Sequence, residues 1–205
     1  MWKKKAAMSV EQQNQSRRTM LLAGMATGVG LLPALAGLTG IAKAAGSENR
    51  DRDMDVLIAA LQSMGGPVCL GAANKLVTAS ASSSGFNLHL RSAEMDVQDA
   101  RILANALQEM SELPTKPLMS FSASYNPDLK DAGAVVLAGS FPKSMIELGL
   151  VGCSIGDVGG TALLEWAQQA PKLRMICVEG NSLSSSLKSE FTELGQRHAS
   201  LMVVV

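Results

Sequence analysis

The chain has 205 residues, of which 47% are hydrophobic and 3% aromatic, and its 18 basic residues balance 18 acidic ones. That length holds one domain and at most an appendage, at about 100–200 residues per domain. The apolar fraction excludes a disordered chain, 3 cysteines are too few for a disulfide scaffold, and a net charge of zero does not advertise nucleic-acid binding.

The zero is a cancellation. Residues 1–44 carry Lys3, Lys4, Lys5, Arg17, Arg18 and Lys43 against Glu11 alone, a net of +5, which leaves −5 on the remainder. The basic stretch ends in Ser16-Arg17-Arg18-Thr19-Met20-Leu21-Leu22, and no charge follows from Thr19 to Ala42. Residues 21–42 hold 5 Gly, 5 Ala and 6 Leu, so the run is only weakly hydrophobic, and Ala42-Lys43-Ala44 offers an A-x-A cleavage site. This order resembles a twin-arginine (Tat) signal sequence. The resemblance implies export to the periplasm or beyond, with the Tat translocase as a transient partner. The alternative is a retained inner-membrane helix, because 22 uncharged residues are long enough for a bilayer core. Five Gly and Pro33 weaken that alternative.

Residues 45–87 read as an amino-terminal cap. The charged stretch 47–55 precedes a helical stripe at Met54, Leu57, Ile58 and Leu61, and Gly65-Gly66-Pro67 stops that helix. Leu76-Val77-Thr78 reads as a short strand before the small-residue loop 79–85.

From residue 88 the chain repeats. Leu88-His89-Leu90 recurs as Phe121-Ser122-Ala123, Leu148-Gly149-Leu150 and Ile176-Cys177-Val178, at spacings of 33, 27 and 28. A further step of 28 from Ile176 lands on Val204. Three residues after each second apolar position stand Ala93, Asn126, Cys153 and Asn181. Each unit continues into a helical face: Ala100, Leu103, Ala104 and Leu107; then Gly159, Ala162, Leu163, Trp166 and Ala170; then Leu187, Phe191 and Leu194. Helix starts fall at Asp131 and Asp157, two residues before Gly133 and Gly159, and the stretch 111–117 absorbs the extra length of the first unit.

The template L-x-x-L-x-L-x-x-N/C-x-L resembles the leucine-rich repeat, in its ribonuclease-inhibitor-like subtype, over residues 88–205. The resemblance implies an α/β leucine-rich-repeat solenoid of about four repeats and a partial fifth. Parallel strands would line its concave face and helices its convex face, after a signal helix. Asn126, Cys153 and Asn181 would form the inward turn row that satisfies backbone groups where each strand bends away. Ala93 breaks that row, as a terminal repeat does.

No catalytic constellation stands out. Ser185-Ser186-Leu187-Lys188 and Ser124-Tyr125-Asn126 have the letters of penicillin-binding motifs, but the order is reversed and K-T-G is missing. The glycines between Gly149 and Gly160 lack the G-K-[ST] of a phosphate loop, and His89 and His198 are too scattered for a metal site. No cofactor and no enzymatic activity are expected. An odd cysteine count leaves a thiol over. The register turns Cys153 inward and Cys177 outward, so Cys177 is the thiol expected to react first.

Residues flanking the apolar strand positions face outward. They put His89 and Arg91 on one edge, Glu147 and Glu179 toward the other, and Ser122, Ser124, Gly149 and Cys177 between them. The expected role is protein–protein recognition through this face, or a scaffold, in a bacterial envelope. The rivals are a membrane-anchored structural subunit and an accessory subunit of a Tat-exported enzyme. The apolar run Met202-Val203-Val204-Val205 reads as an edge strand, which invites a homodimer.

Overall fold

The computed structural model describes residues 54–79, 85–111 and 117–205. The expected signal, with Arg17, Arg18, Ala42 and Ala44, lies outside the described residues, as do 47–53 of the charged stretch and residues 80–84 and 112–116. Among the described residues no helix is long and apolar enough to cross a membrane.

Five strands form one parallel sheet: β1 (Phe86–His89), β2 (Leu118–Ser122), β3 (Glu147–Gly149), β4 (Met175–Cys177) and β5 (Met202–Val204). Their order across the sheet is their order along the chain. Two helices precede the sheet, α1 over 54–64 and α2 (Gly66–Ala79). A helix follows each of the first four strands: α3 (Val97–Ser111), α4 (Lys130–Ala138), α5 (Asp157–Gln168) and α6 (Ser185–Arg197). The chain is therefore a mixed α/β fold with helices packed on one sheet face.

The register explains the periodicity. Leu88 pairs with Phe121, Phe121 with Leu148, Leu148 with Ile176 and Ile176 with Val203. In a parallel sheet without stagger, equivalent side chains stack on one another, so a sequence repeat becomes a column of contacts. Leu88, Phe121, Leu148 and Ile176 are buried in that column, and each contributes about 1.5–3 kcal/mol by leaving water. The helices close the core with the expected faces: Ala100, Leu103, Ala104 and Leu107 are buried in α3, and Leu187, Phe191 and Leu194 in α6. Neighbouring helices come close where side chains are small. A Cβ added at Gly159 would lie 2.9 Å from the Ala134 Cβ of α4.

Two local expectations are corrected. Leu76-Val77-Thr78 is not a strand but the end of α2. Cys69, Ala72, Ala73 and Leu76 are buried together at helical spacing, and that face outweighs the β-branched pair Val77-Thr78. Gly65-Gly66-Pro67 does end the first helix, at residue 64, as expected, and a second helix follows at once: Gly65 has a left-handed φ of +72°, and Pro67 sits in the first turn of α2, where a missing N–H costs nothing. Finally, the residue aligned with Ile176 is Val203 and not Val204, and β1 begins at Phe86, inside the stretch read as cap. The run Val203-Val204-Val205 has no polar alternation to pin its register, so packing decides it. Val203 packs on the core, and Val204 pairs with Cys177 on the opposite face.

Candidate recognition face

The turns after the strands set the site. The ladder runs past the strand ends, with Ser92 N–H donating to Ser124 O, Tyr125 N–H to Val151 O and Gly152 N–H to Glu179 O. The residue that then turns the chain has positive φ in every unit: Ser92 at +53°, Tyr125 at +62°, Gly152 at +62° and Gly180 at +69°. Immediately after it stands the turn row. Asn126, fully buried, donates from Nδ2 to Leu90 O at 2.9 Å and Ala123 O at 2.7 Å, and its Oδ1 accepts the Met95 N–H at 3.0 Å. Asn181 repeats the arrangement one unit on: Nδ2 donates to Leu150 O and Val178 O, and Oδ1 accepts from the N–H groups of Cys153 and Ile155. Between them the buried Cys153 thiol donates to Ala123 O at 3.2 Å. Each side chain ties its own turn to the preceding unit.

A second ladder was not legible in sequence. Asp131 and Asp157 stand at the helix starts, but their carboxylates serve the following helix. Asp131 Oδ1 accepts the N–H groups of Gly156 and Gly159 at the start of α5, which has no cap side chain of its own. Asp157 Oδ1 accepts the Ser184 N–H at 2.7 Å at the start of α6. An anion at a helix N-terminus satisfies unpaired donors and faces the positive end of the helix dipole. The Ser184 backbone N–H, with its hydroxyl second, holds the Asp157 carboxyl below the ordinary aspartate range. A lowered carboxyl pKa gives stability that is present at neutral pH and lost as pH falls through the lowered value. Asp157→Asn is therefore expected to be less stable than the unsubstituted protein at pH 7, with the gap closing in acid. Thermal unfolding across pH 2–7 checks this, and a gap independent of pH would refute it.

The sheet face away from the helices carries all seven expected recognition residues. One row across it reads Asn87, Ser120, Glu147, Met175, Met202, and the next His89, Ser122, Gly149, Cys177, Val204. A third, set by the extended ladder, reads Arg91, Ser124, Val151, Glu179. His89, Arg91, Glu147 and Glu179 are exposed, and Ser122 and Cys177 half-buried. Ser124 is a correction. It is 5% exposed, and its hydroxyl accepts the Val151 N–H at 3.1 Å, so it supports the floor of the face and is not an open contact group. His89 lies with Nε2 3.4 Å from the Ser120 hydroxyl. Glu147 and Glu179 have no ion-pair partner among the described residues.

Sequence reasoning missed Tyr125. The residue is 45% exposed, and the Arg91 guanidinium carbon sits 4.2 Å from the ring centroid. A tyrosine in the left-handed region is strained by about 1–2 kcal/mol, and the next two units use glycine there. Of those glycines Gly152 is the ring's neighbour: a Cβ there would lie 3.4 Å from the ring, in ordinary contact.

The three cysteines are free thiols. Cys69 and Cys153 are buried. Burial raises the Cys177 pKa first, and the negative charges of Glu179 and Glu147 raise it further. The thiolate is the nucleophile, so Cys177 is accessible but sluggish. Iodoacetamide at pH 7 is expected to label Cys177 alone, more slowly than a free peptide thiol, and faster as pH rises. Glu179→Gln should accelerate labelling severalfold at most, since burial is the larger cause. Mass mapping of the alkylated site checks both, and equal labelling of all three cysteines would overturn the assignment.

Among the described residues no three His, Cys, Asp or Glu side chains converge as a metal site. The fold and this face define an α/β chain with one side of its sheet committed to a core and the other open to solvent. No protein-family model matches the chain, and no curated protein matches it.

Proposed function

We propose that the protein is an exported, non-enzymatic leucine-rich-repeat solenoid that acts by protein–protein recognition, or as a scaffold, in a bacterial envelope. The repeat reading is supported by strands that add one after another in chain order and by the Asn126, Cys153, Asn181 row that ties each turn to the preceding unit. Repeats of this kind bury a continuous core by stacking and leave an extended strand face for binding. The observation that carries recognition is the Arg91–Tyr125 pair on that face, since Arg and Tyr are the residue types enriched at binding hot spots. Fold alone does not assign function.

Magnitude limits the interaction. Five strands about 4.8 Å apart and about 17 Å long give a face of roughly 400 Å², half of the roughly 800 Å² per partner of a standard interface. The face suits a short segment, and a tight complex must use further surface.

Export rests on the Arg17-Arg18 motif, the soft apolar run and Ala42-Lys43-Ala44. Intact-mass measurement of the cellular protein tests it. Loss of residues 1–44, abolished by Arg17→Lys with Arg18→Lys, is the expected result. A full-length mass in the membrane fraction would establish the anchored alternative. Cross-linking in cells then identifies the partner. The homodimer through Met202–Val204 predicts a concentration-dependent sedimentation coefficient, and a monomer at high concentration excludes it.

A further inference from the structure

Resting on the recognition reading above, we propose that the open sheet face binds an extended partner segment that crosses the strands and carries one acidic and one basic side chain four residues apart, the acid on Arg91 and the base on Glu179. Three observations support this chemistry.

First, the ends of the third row are opposite in charge and neither charge is neutralised by an ion pair among the described residues. Arg91 lies on the β1 line and Glu179 on the β4 line, three strand spacings or about 14 Å apart. An extended chain covers about 13 Å in four residues, and residues four apart point to the same side.

Second, Arg91 is prepared for a carboxylate. Its guanidinium lies over the Tyr125 ring, which engages the flat face of the group and leaves the N–H edges for bidentate hydrogen bonding. Stacking also removes rotamer freedom before the partner arrives, which lowers the entropy lost on binding.

Third, the row beside the charged one is cut low. Ser122, Gly149 and Cys177 are adjacent across three strands, and a Cβ on Gly149 would already crowd the Ser122 hydroxyl at 3.2 Å. The middle residue of the segment then sits over Ser124 and Val151, next to this shallow row. The strained backbone of Tyr125 fits a side chain kept for contact, since folding alone is served by glycine at that position in the next two units.

The test is selection of binders from a displayed library of random peptides against the full chain, followed by fluorescence anisotropy with the enriched peptides. The expected peptides carry an acidic and a basic residue four apart. Arg91→Glu and Glu179→Arg should each weaken binding at least about tenfold, and the double charge swap should restore it, because the peptide can turn end for end. Tyr125→Gly should weaken binding without lowering the melting temperature. Peptides that bind the face, as judged by protection of Cys177 from iodoacetamide, but show no charge pairing would overturn the partner chemistry and leave recognition by the face standing. Binders that leave Cys177 unprotected and are indifferent to all three substitutions would overturn both.

Discussion

Asn126→Ala is expected to destabilise the protein by about 4 kcal/mol, a fall of roughly 8–16 °C in melting temperature for a domain of this size. The substitution strips partners from Leu90 O and the Met95 N–H, and leaves Ala123 O with only the Cys153 thiol. A buried polar group left unsatisfied costs about 1–3 kcal/mol, and Asn126 is fully buried, so water has no ready route to replace it. Asn181→Ala is the informative contrast. It makes the same kinds of hydrogen bond, but the residue is only half-buried. Water can take over there, and the expected cost is about 1–2 kcal/mol. Urea titrations of both variants measure the difference. Equal costs would show that the row is held by something other than buried polar satisfaction.

Phe121→Ala is expected to cost about 3–5 kcal/mol through lost burial and the cavity left behind. Phe121 is fully buried in the column between Leu88 and Leu148, with its ring centroid 4.9 Å from that of Phe141, which is in turn 5.5 Å from Trp166. Trp166 also donates its Nε1–H to Phe141 O at 3.0 Å. The aromatic chain therefore transmits the cavity: Phe141 relaxes toward it, and Trp166 emission should shift to the red in a Trp2→Phe background. Phe191→Ala removes an equally buried ring from α6, outside this chain, and should cost a similar amount while leaving the emission unchanged. A silent Trp166 in Phe121→Ala would mean that the rings pack independently.

Both substitutions fall on residues that the periodicity already singled out, and the reason is physical. A parallel sheet built in chain order places equivalent residues in direct contact, so spacings of 33 and 27 in the chain are the same fact as Leu88 on Phe121 and Phe121 on Leu148. The helical faces of α3 and α6 were legible for the same reason, since a helix buried on one side repeats its apolar residues every three or four positions. Where the pattern was thin, it misled. The short stretch Leu76-Val77-Thr78 has no period of its own, and the run Val203-Val204-Val205 fits either face equally well.

The repeat, with the leucine-rich-repeat resemblance it carries, was enough for the strand order, the parallel pairing, four of the five members of the core column and the turn row, because equivalent residues of a stacked repeat touch. It also determined that basic residues lie on one edge of the open face and acidic ones toward the other. Contacts in the folded chain alone reveal that Asp131 and Asp157 hold the helix after their own, that Ser124 is spent on the Val151 N–H, and that Tyr125 stands exposed under Arg91. Those are contacts between one unit and the next, made by side chains outside the repeated pattern. No spacing within a single unit encodes them, and the backbone turn that lifts Tyr125 is set by its place in the stack of Ser92, Gly152 and Gly180 and not by any preference of tyrosine.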